Sequence, residues 1–205
     1  GEHALAINPG VFPGRLSTML QNRIPPRHVI ALYERHYYTF TEKPALLKEL
    51  IAIGERLAPL ATDEETRNEI RIKILDGCFL VQDYDRAIAM LEAGIPGPNR
   101  TPQWHATAIV KIKAHRAILR NEPREAVKYF REFMAQICAS KEAEISDPVS
   151  GLLFPREMVL GRNAKRIGDI LAGIPDAAEA ATAYTEARTL YGQALQATRN
   201  SDVRK

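Results

Sequence analysis

Histidine, cysteine and the carboxylates are the residues able to run chemistry in this chain, and their spacing decides which chemistry is open to it. The five histidines stand at His3, His28, His36, His105 and His115. No two are four residues apart, so no single helical face offers two imidazoles to a metal ion. The two cysteines, Cys78 and Cys138, fall in separate apolar helical runs and are expected to be small buried hydrophobes rather than disulfide partners. The segment GIPGPN at 94–99 lacks the Lys-Ser/Thr pair of a phosphate loop, and no G-x-S-x-G nucleophile elbow is present. Carboxylates are abundant, but nothing in their spacing makes two of them converge. The expectation is a protein with no catalytic residues, no metal and no cofactor. An enzyme with a pocket beside residues 139–154 is the least favoured alternative.

Bulk properties bound the remaining classes. A chain of 205 residues is long enough for one domain with its own core. Its hydrophobic fraction of 45% and charged fraction of 26% are those of a soluble globular protein. No apolar run approaches the roughly 20 residues that span a bilayer. A net charge of +3 is too small to announce a nucleic-acid partner, and none is expected. Gly1 in place of Met implies processing or an artificial start, removal of an export signal being one explanation. The compartment, cytoplasmic or exported, stays open.

The elements that would position a surface are read best from Gly161–Ala197. Two helical runs face each other there across a break at Gly173-Ile174-Pro175. On the second run Ala180, Tyr184, Ala187 and Tyr191 recur with a period near 3.6. Gly168 between Ile167 and Leu171 lets the two backbones approach. Asp176 suits the N-cap of the second helix, with Glu179 three residues on. The pattern Ile167-Gly168, Leu171, Ala180, Tyr184 and Ala187 resembles the tetratricopeptide repeat, a helix–turn–helix unit. The Trp that opens that family pattern and the Pro that closes it are missing.

The rest of the chain reads as looser hairpins. Residues 1–23 form an arm with a short helical turn at Arg15–Gln21. Pro25-Pro26 starts a first hairpin over 24–60, with Val29, Tyr33, Tyr37 and Phe40 on one helix and Leu46, Leu50, Ile53, Leu57 and Leu60 on the next. It carries no repeat signature and serves as a degenerate unit or a cap. Thr62 to Glu65 forms a capping box that opens a second hairpin over 62–94. There Asp83-Tyr84 and Ala87-Ile88 are a second point of resemblance, Leu75 stands where the family prefers glycine, and Gly94 ends the unit. The loop 95–100 precedes a third hairpin over 101–138, started by Thr101-Pro102 and turned at Asn121-Glu122-Pro123. Residues 139–154 are an insertion, and Leu152-Leu153-Phe154 is expected to tuck back onto the helices. A fourth hairpin covers 155–198. The corresponding alanines Ala87, Ala126 and Ala180 lie 39 and 54 residues apart, against a family period of about 34. The expected fold is all-α, a right-handed superhelical stack of antiparallel helix hairpins, an α-solenoid over 24–205.

Function then follows by resemblance. In tetratricopeptide proteins the first helices of successive hairpins line a concave groove that accepts peptide. The matching positions here are Glu69, Ile72, Lys73 and Asp76, then Ala108, Lys111, Ile112 and His115, then Arg162, Lys165, Arg166 and Asp169. The last set is basic and suits an acidic segment or a free carboxylate. Chaperone-type members clamp a terminal carboxylate with a Lys–Asn pair, and Ile72 and Asp76 stand at those places, against that clamp. A non-catalytic module holding a protein or peptide partner is favoured. The rival from another class is an assembly component, a homo-oligomer built through the alanine-rich last helix (Ala177, Ala178, Ala181, Ala183, Ala187, Ala194).

Overall fold

The computed structural model describes residues 9–40, 42–95, 101–146, 153–175 and 177–202. Asp176, Leu152, His3 and the loop residues 96–100 lie outside the described residues. Among the described residues the fold is helical, with helices packed on their neighbours in the chain within each of two units, and one small two-stranded sheet. The chain divides into two compact units, Gly1–Arg100 and Thr101–Lys205.

The first unit holds α1 (Phe12–Gln21), α2 (Pro26–His36), α3 (Pro44–Leu57), α4 (Glu64–Leu80) and α5 (Tyr84–Glu92). Proline in the first turn of α1, α2 and α3 marks where each begins, because that turn leaves its N–H groups unbonded anyway. The helix in the arm is longer than the sequence suggests: α1 runs from Phe12, and Phe12 and Leu16 are buried. The core consists of Val29, Tyr33 and Tyr37 from α2 and its following turn, Leu47, Leu50 and Leu57 from α3, and Ile70 and Cys78 from α4. Leu60, expected in the α3 stripe, is 45% exposed, because the helix gives way to a 3-10 turn at Ala58.

The tyrosines of α2 set how closely its neighbours approach. A Cβ on Gly54 would collide with the Tyr33 hydroxyl, and one on Gly77 would collide with the Tyr37 hydroxyl and sit 2.8 Å from Ile51. The α4 cap is shifted by one residue from the expected box. Asp63, not Thr62, accepts from the Thr66 amide at 2.7 Å and from its hydroxyl at 3.0 Å. Asp63 places a full charge at the positive end of the helix dipole, which a threonine hydroxyl lacks. Gln82 takes φ +62° in the α4–α5 turn, and Gly94 takes φ +79° after α5, the left-handed geometry that stops a helix.

The second unit holds α6 (Pro102–Leu119), α7 (Pro123–Ala139), β1 (Glu144–Ser146), β2 (Leu153–Pro155), α8 (Arg156–Ala172) and α9 (Ala177–Asp202). Thr101 caps α6 by accepting from the Trp104 amide at 3.1 Å. One apolar cluster runs through Ala114, Phe130, Phe133, Ile137, Ile167, Leu171, Ala180 and Ala187. Each large member contributes about 1.5–3 kcal/mol by leaving water. The α8–α9 contact is close because of glycine: a Cβ on Gly168 would stand 2.7 Å from the Tyr184 ring, and one on Gly161 would stand 3.1 Å from Tyr191. Cys138 is exposed, unlike Cys78: its neighbour Ile137 takes the side of α7 that enters the cluster.

The insertion after α7 is not a plain loop. Residues Glu144–Ser146 pair antiparallel with Leu153–Pro155, Ile145 opposite Phe154. Ile145 is buried and Phe154 packs on the apolar cluster, so the segment does tuck back. Leu153, on the other face, is 64% exposed. Side-chain alternation along a strand sends neighbours to opposite sides, which divides the apolar pair.

Candidate functional site

Three groups of surface residues were singled out from the sequence, and the structure treats each differently. In the first unit, Lys73 and Asp76 are half-buried on α4 beside the end of α2. The Tyr38 hydroxyl donates to Asp76 Oδ2 at 3.0 Å, and the Lys73 ammonium lies 5.7 Å from the centre of the Tyr38 ring. The Tyr37 hydroxyl donates to the Lys73 carbonyl. Glu34, one turn before Tyr38, faces the carboxylate of Glu69 on α4. Burial raises the Glu34 carboxyl above its ordinary 4.5, Lys73 works against that rise, and Glu69 and Asp63 add to it. Glu34 Oε1 is buried without a hydrogen-bond partner among the described residues. Glu34 and Tyr38 were not picked out from the sequence. Their signal is the four-residue spacing, which carries one side of α2 on into the turn that follows it.

The α6 pair belongs largely to the core. Lys111 is only 6% exposed, and its ammonium stands 5.4 Å from the centre of the buried Phe133 ring. Its long aliphatic stem packs like an apolar side chain. It is therefore not part of an open surface, which corrects its assignment to a groove. His115 is half-buried, edge-on to Phe130 with ring centres 5.6 Å apart. Ala108 and Ile112 are buried.

The α8 group stays on the surface. Arg162, Lys165, Arg166 and Asp169 are all exposed, along the side of the helix away from Val159, Ala164, Ile167 and Leu171. Three of the four already have partners. The Arg162 guanidinium lies 4.3 Å from the centre of the Phe154 ring of β2. Lys165 Nζ donates to Asp169 Oδ2 at 2.8 Å, and Tyr184 of α9 donates to Asp169 Oδ1 at 3.0 Å. The Lys165 hydrogen bond, then that of Tyr184, holds the Asp169 carboxyl below its usual range, and the nearby Arg166 charge acts in the same direction. Arg166 itself has no hydrogen bond or ion pair among the described residues. Arg162 and Arg166, four residues apart, thus share one side of α8 with their hydrogen-bonding edges unused by carboxylates.

Each unit carries a shallow depression with a mixed apolar and charged lining. A depression of about 550 Å³ in the first unit is lined by Ile74 and Met90 with Arg67 and Arg71. Glu64 pairs with both arginines. A depression of about 400 Å³ in the second unit is lined by Met134, Cys138, Ile167 and Glu186. Among the described residues no group of three or more His, Cys, Asp or Glu is placed to hold a metal ion. No described helix is long and apolar enough to cross a membrane. No protein-family model matches the chain, and comparison with the curated proteins gives no match.

Proposed function

We propose that the protein is a non-catalytic interaction module of the tetratricopeptide-like kind, a right-handed stack of hairpins that holds an acidic peptide or protein segment on α8. The observation that carries this reading is the exposed pair Arg162 and Arg166, four residues apart on a helix whose other side is buried. Two guanidinium groups so spaced bind carboxylates through charge-assisted, bidentate hydrogen bonds. Lys165 contributes less, because Asp169 already neutralises it. Lys111 and His115 drop out of the binding set, since both pack on phenylalanines of α7.

The test is fluorescence anisotropy with a labelled Glu/Asp-rich peptide at low and high salt. Arg162→Glu with Arg166→Glu is expected to weaken binding at least tenfold at low salt, and Lys165→Glu to weaken it less. Asp169→Asn, which frees Lys165, is expected to tighten it. Salt should weaken the wild-type interaction, since exposed charges are screened within about 10 Å at 0.1 M. Absence of binding, or equal binding by the double variant, refutes the proposal.

A further inference from the structure

The long last helix has a second side that the α8 contact does not use. In α9, Ala180, Ala183, Ala187 and Ala194 are buried. On the opposite side lie Ala178, Thr182, Thr185, Thr189, Gly192 and Gln196, all exposed. Their spacing of four, three, four, three and four is the seven-residue repeat of a helix that packs side by side with another. No residue of this strip is charged. The hydroxyls of Thr182, Thr185 and Thr189 each donate to the carbonyl four residues back, at 3.1, 2.9 and 3.1 Å. Their polar groups are thus satisfied within the helix. A shallow trough of about 550 Å³ runs along the strip, lined by Thr182, Thr185, Glu186, Thr189 and Gln193 among others.

Gly192 is a separate and independent sign. Gly54, Gly77, Gly161 and Gly168 each sit in a helix against a tyrosine of the same chain, so close that a Cβ would crowd the ring or its hydroxyl. Gly192 also sits inside a helix, yet nothing lies within 4 Å of the Cβ it lacks. Among glycines within described helices only Gly14, in the first turn of α1, shares that openness. Glycine inside a helix is less favourable than alanine, and no contact among the described residues offsets it here.

The flanking charges identify the occupant. At 100° per residue, Glu186 and Arg188 lie about 80° to either side of the strip's midline. Both are exposed, and neither has an ion pair among the described residues. We propose that this strip pairs with the same strip of a second copy of the chain, the two α9 helices lying side by side and parallel. Parallel pairing about a two-fold axis sets the Glu186 flank of each copy against the Arg188 flank of the other. Antiparallel pairing would set glutamate against glutamate and arginine against arginine. A strip about 27 Å long and about 10 Å wide is smaller than a standard-size interface, so the dimer is weak, with a Kd of roughly 10–100 µM. The surface is distinct from the exposed side of α8, and pairing does not depend on acidic-peptide binding.

Sedimentation velocity across that concentration range, combined with cysteine cross-linking of the full chain, tests the proposal. In a Cys138→Ser background, Thr182→Cys, Thr189→Cys and Gln196→Cys are each expected to form a disulfide-linked dimer under mild oxidation. Thr185→Glu is expected to abolish association while leaving the helical circular dichroism unchanged. Arg188→Glu is expected to weaken association about tenfold, and adding Glu186→Arg to restore it. A chain that stays monomeric throughout the range and cross-links at none of the three positions overturns the proposal. Cross-linking at Thr189→Cys alone overturns the parallel arrangement, since only the centre of an antiparallel pair meets itself.

Discussion

Tyr33 and Glu34, adjacent on α2, are held in opposite kinds of conflict with their surroundings. The Tyr33 hydroxyl is buried against Gly54 with no hydrogen-bond partner among the described residues. A buried, unsatisfied hydroxyl costs about 1–3 kcal/mol. Tyr33→Phe is therefore expected to stabilise the chain by about 1 kcal/mol, read as a higher midpoint in urea with an unchanged slope. Burial raises the Glu34 carboxyl. Its folded value lies above the unfolded one, so the stability it permits is fully present below about pH 4.5 and is lost as pH rises through the raised value. Glu34→Gln is expected to flatten that loss and to raise the thermal midpoint slightly at pH 7. The gain is expected to be about 0.5 kcal/mol or less, because the residue is only half-buried and its field is screened. A larger midpoint difference at pH 4 than at pH 7 would refute the assignment.

Among the helices, caps and turns account for most boundaries. Asp63 takes the place expected for Thr62 because its carboxylate meets both the amide and the hydroxyl of Thr66. Asp63→Ala is expected to lower the thermal midpoint by several degrees, whereas Thr62→Ala is expected to change it little. Equal effects from the two would return the cap to Thr62. The Thr66 hydrogen bonds hold the Asp63 carboxyl below its usual range. Its contribution is present above the unfolded carboxylate range and is lost as pH falls through the lowered value. The β1–β2 hairpin shows how an insertion acquires order: Ile145 and Phe154 reach the apolar cluster, and Arg162 lies over the Phe154 ring.

The chain as a whole divides its contacts between 1–100 and 101–205. In helical repeat arrays stability is close to a sum of local terms. Leu50→Ala is expected to cost about 2–5 kcal/mol and to lower amide protection mainly in α2–α5. Phe133→Ala is expected to cost about 3–5 kcal/mol and to act mainly on α6–α9. Hydrogen exchange with peptide-level resolution checks both, and equal loss of protection throughout the chain in either variant would refute the division.

Much of this architecture was legible in the residues. Proline in first turns, Thr101 before Pro102, Gly94 after α5 and the 3.6-residue apolar stripes act locally, and local geometry is what a sequence encodes directly. The small residues of the last hairpin had the same clarity, since a glycine opposite a tyrosine means close helices wherever the two meet. Other features depended on partners distant in the chain. Lys111 is 6% exposed because Phe133 covers it, Glu34 is raised because α4 approaches α2, and Cys138 is open because Ile137 beside it takes the packed side of α7. Spacing places a side chain on a face of its own helix. Only packing against other helices decides whether that face meets water, a ring or another charge.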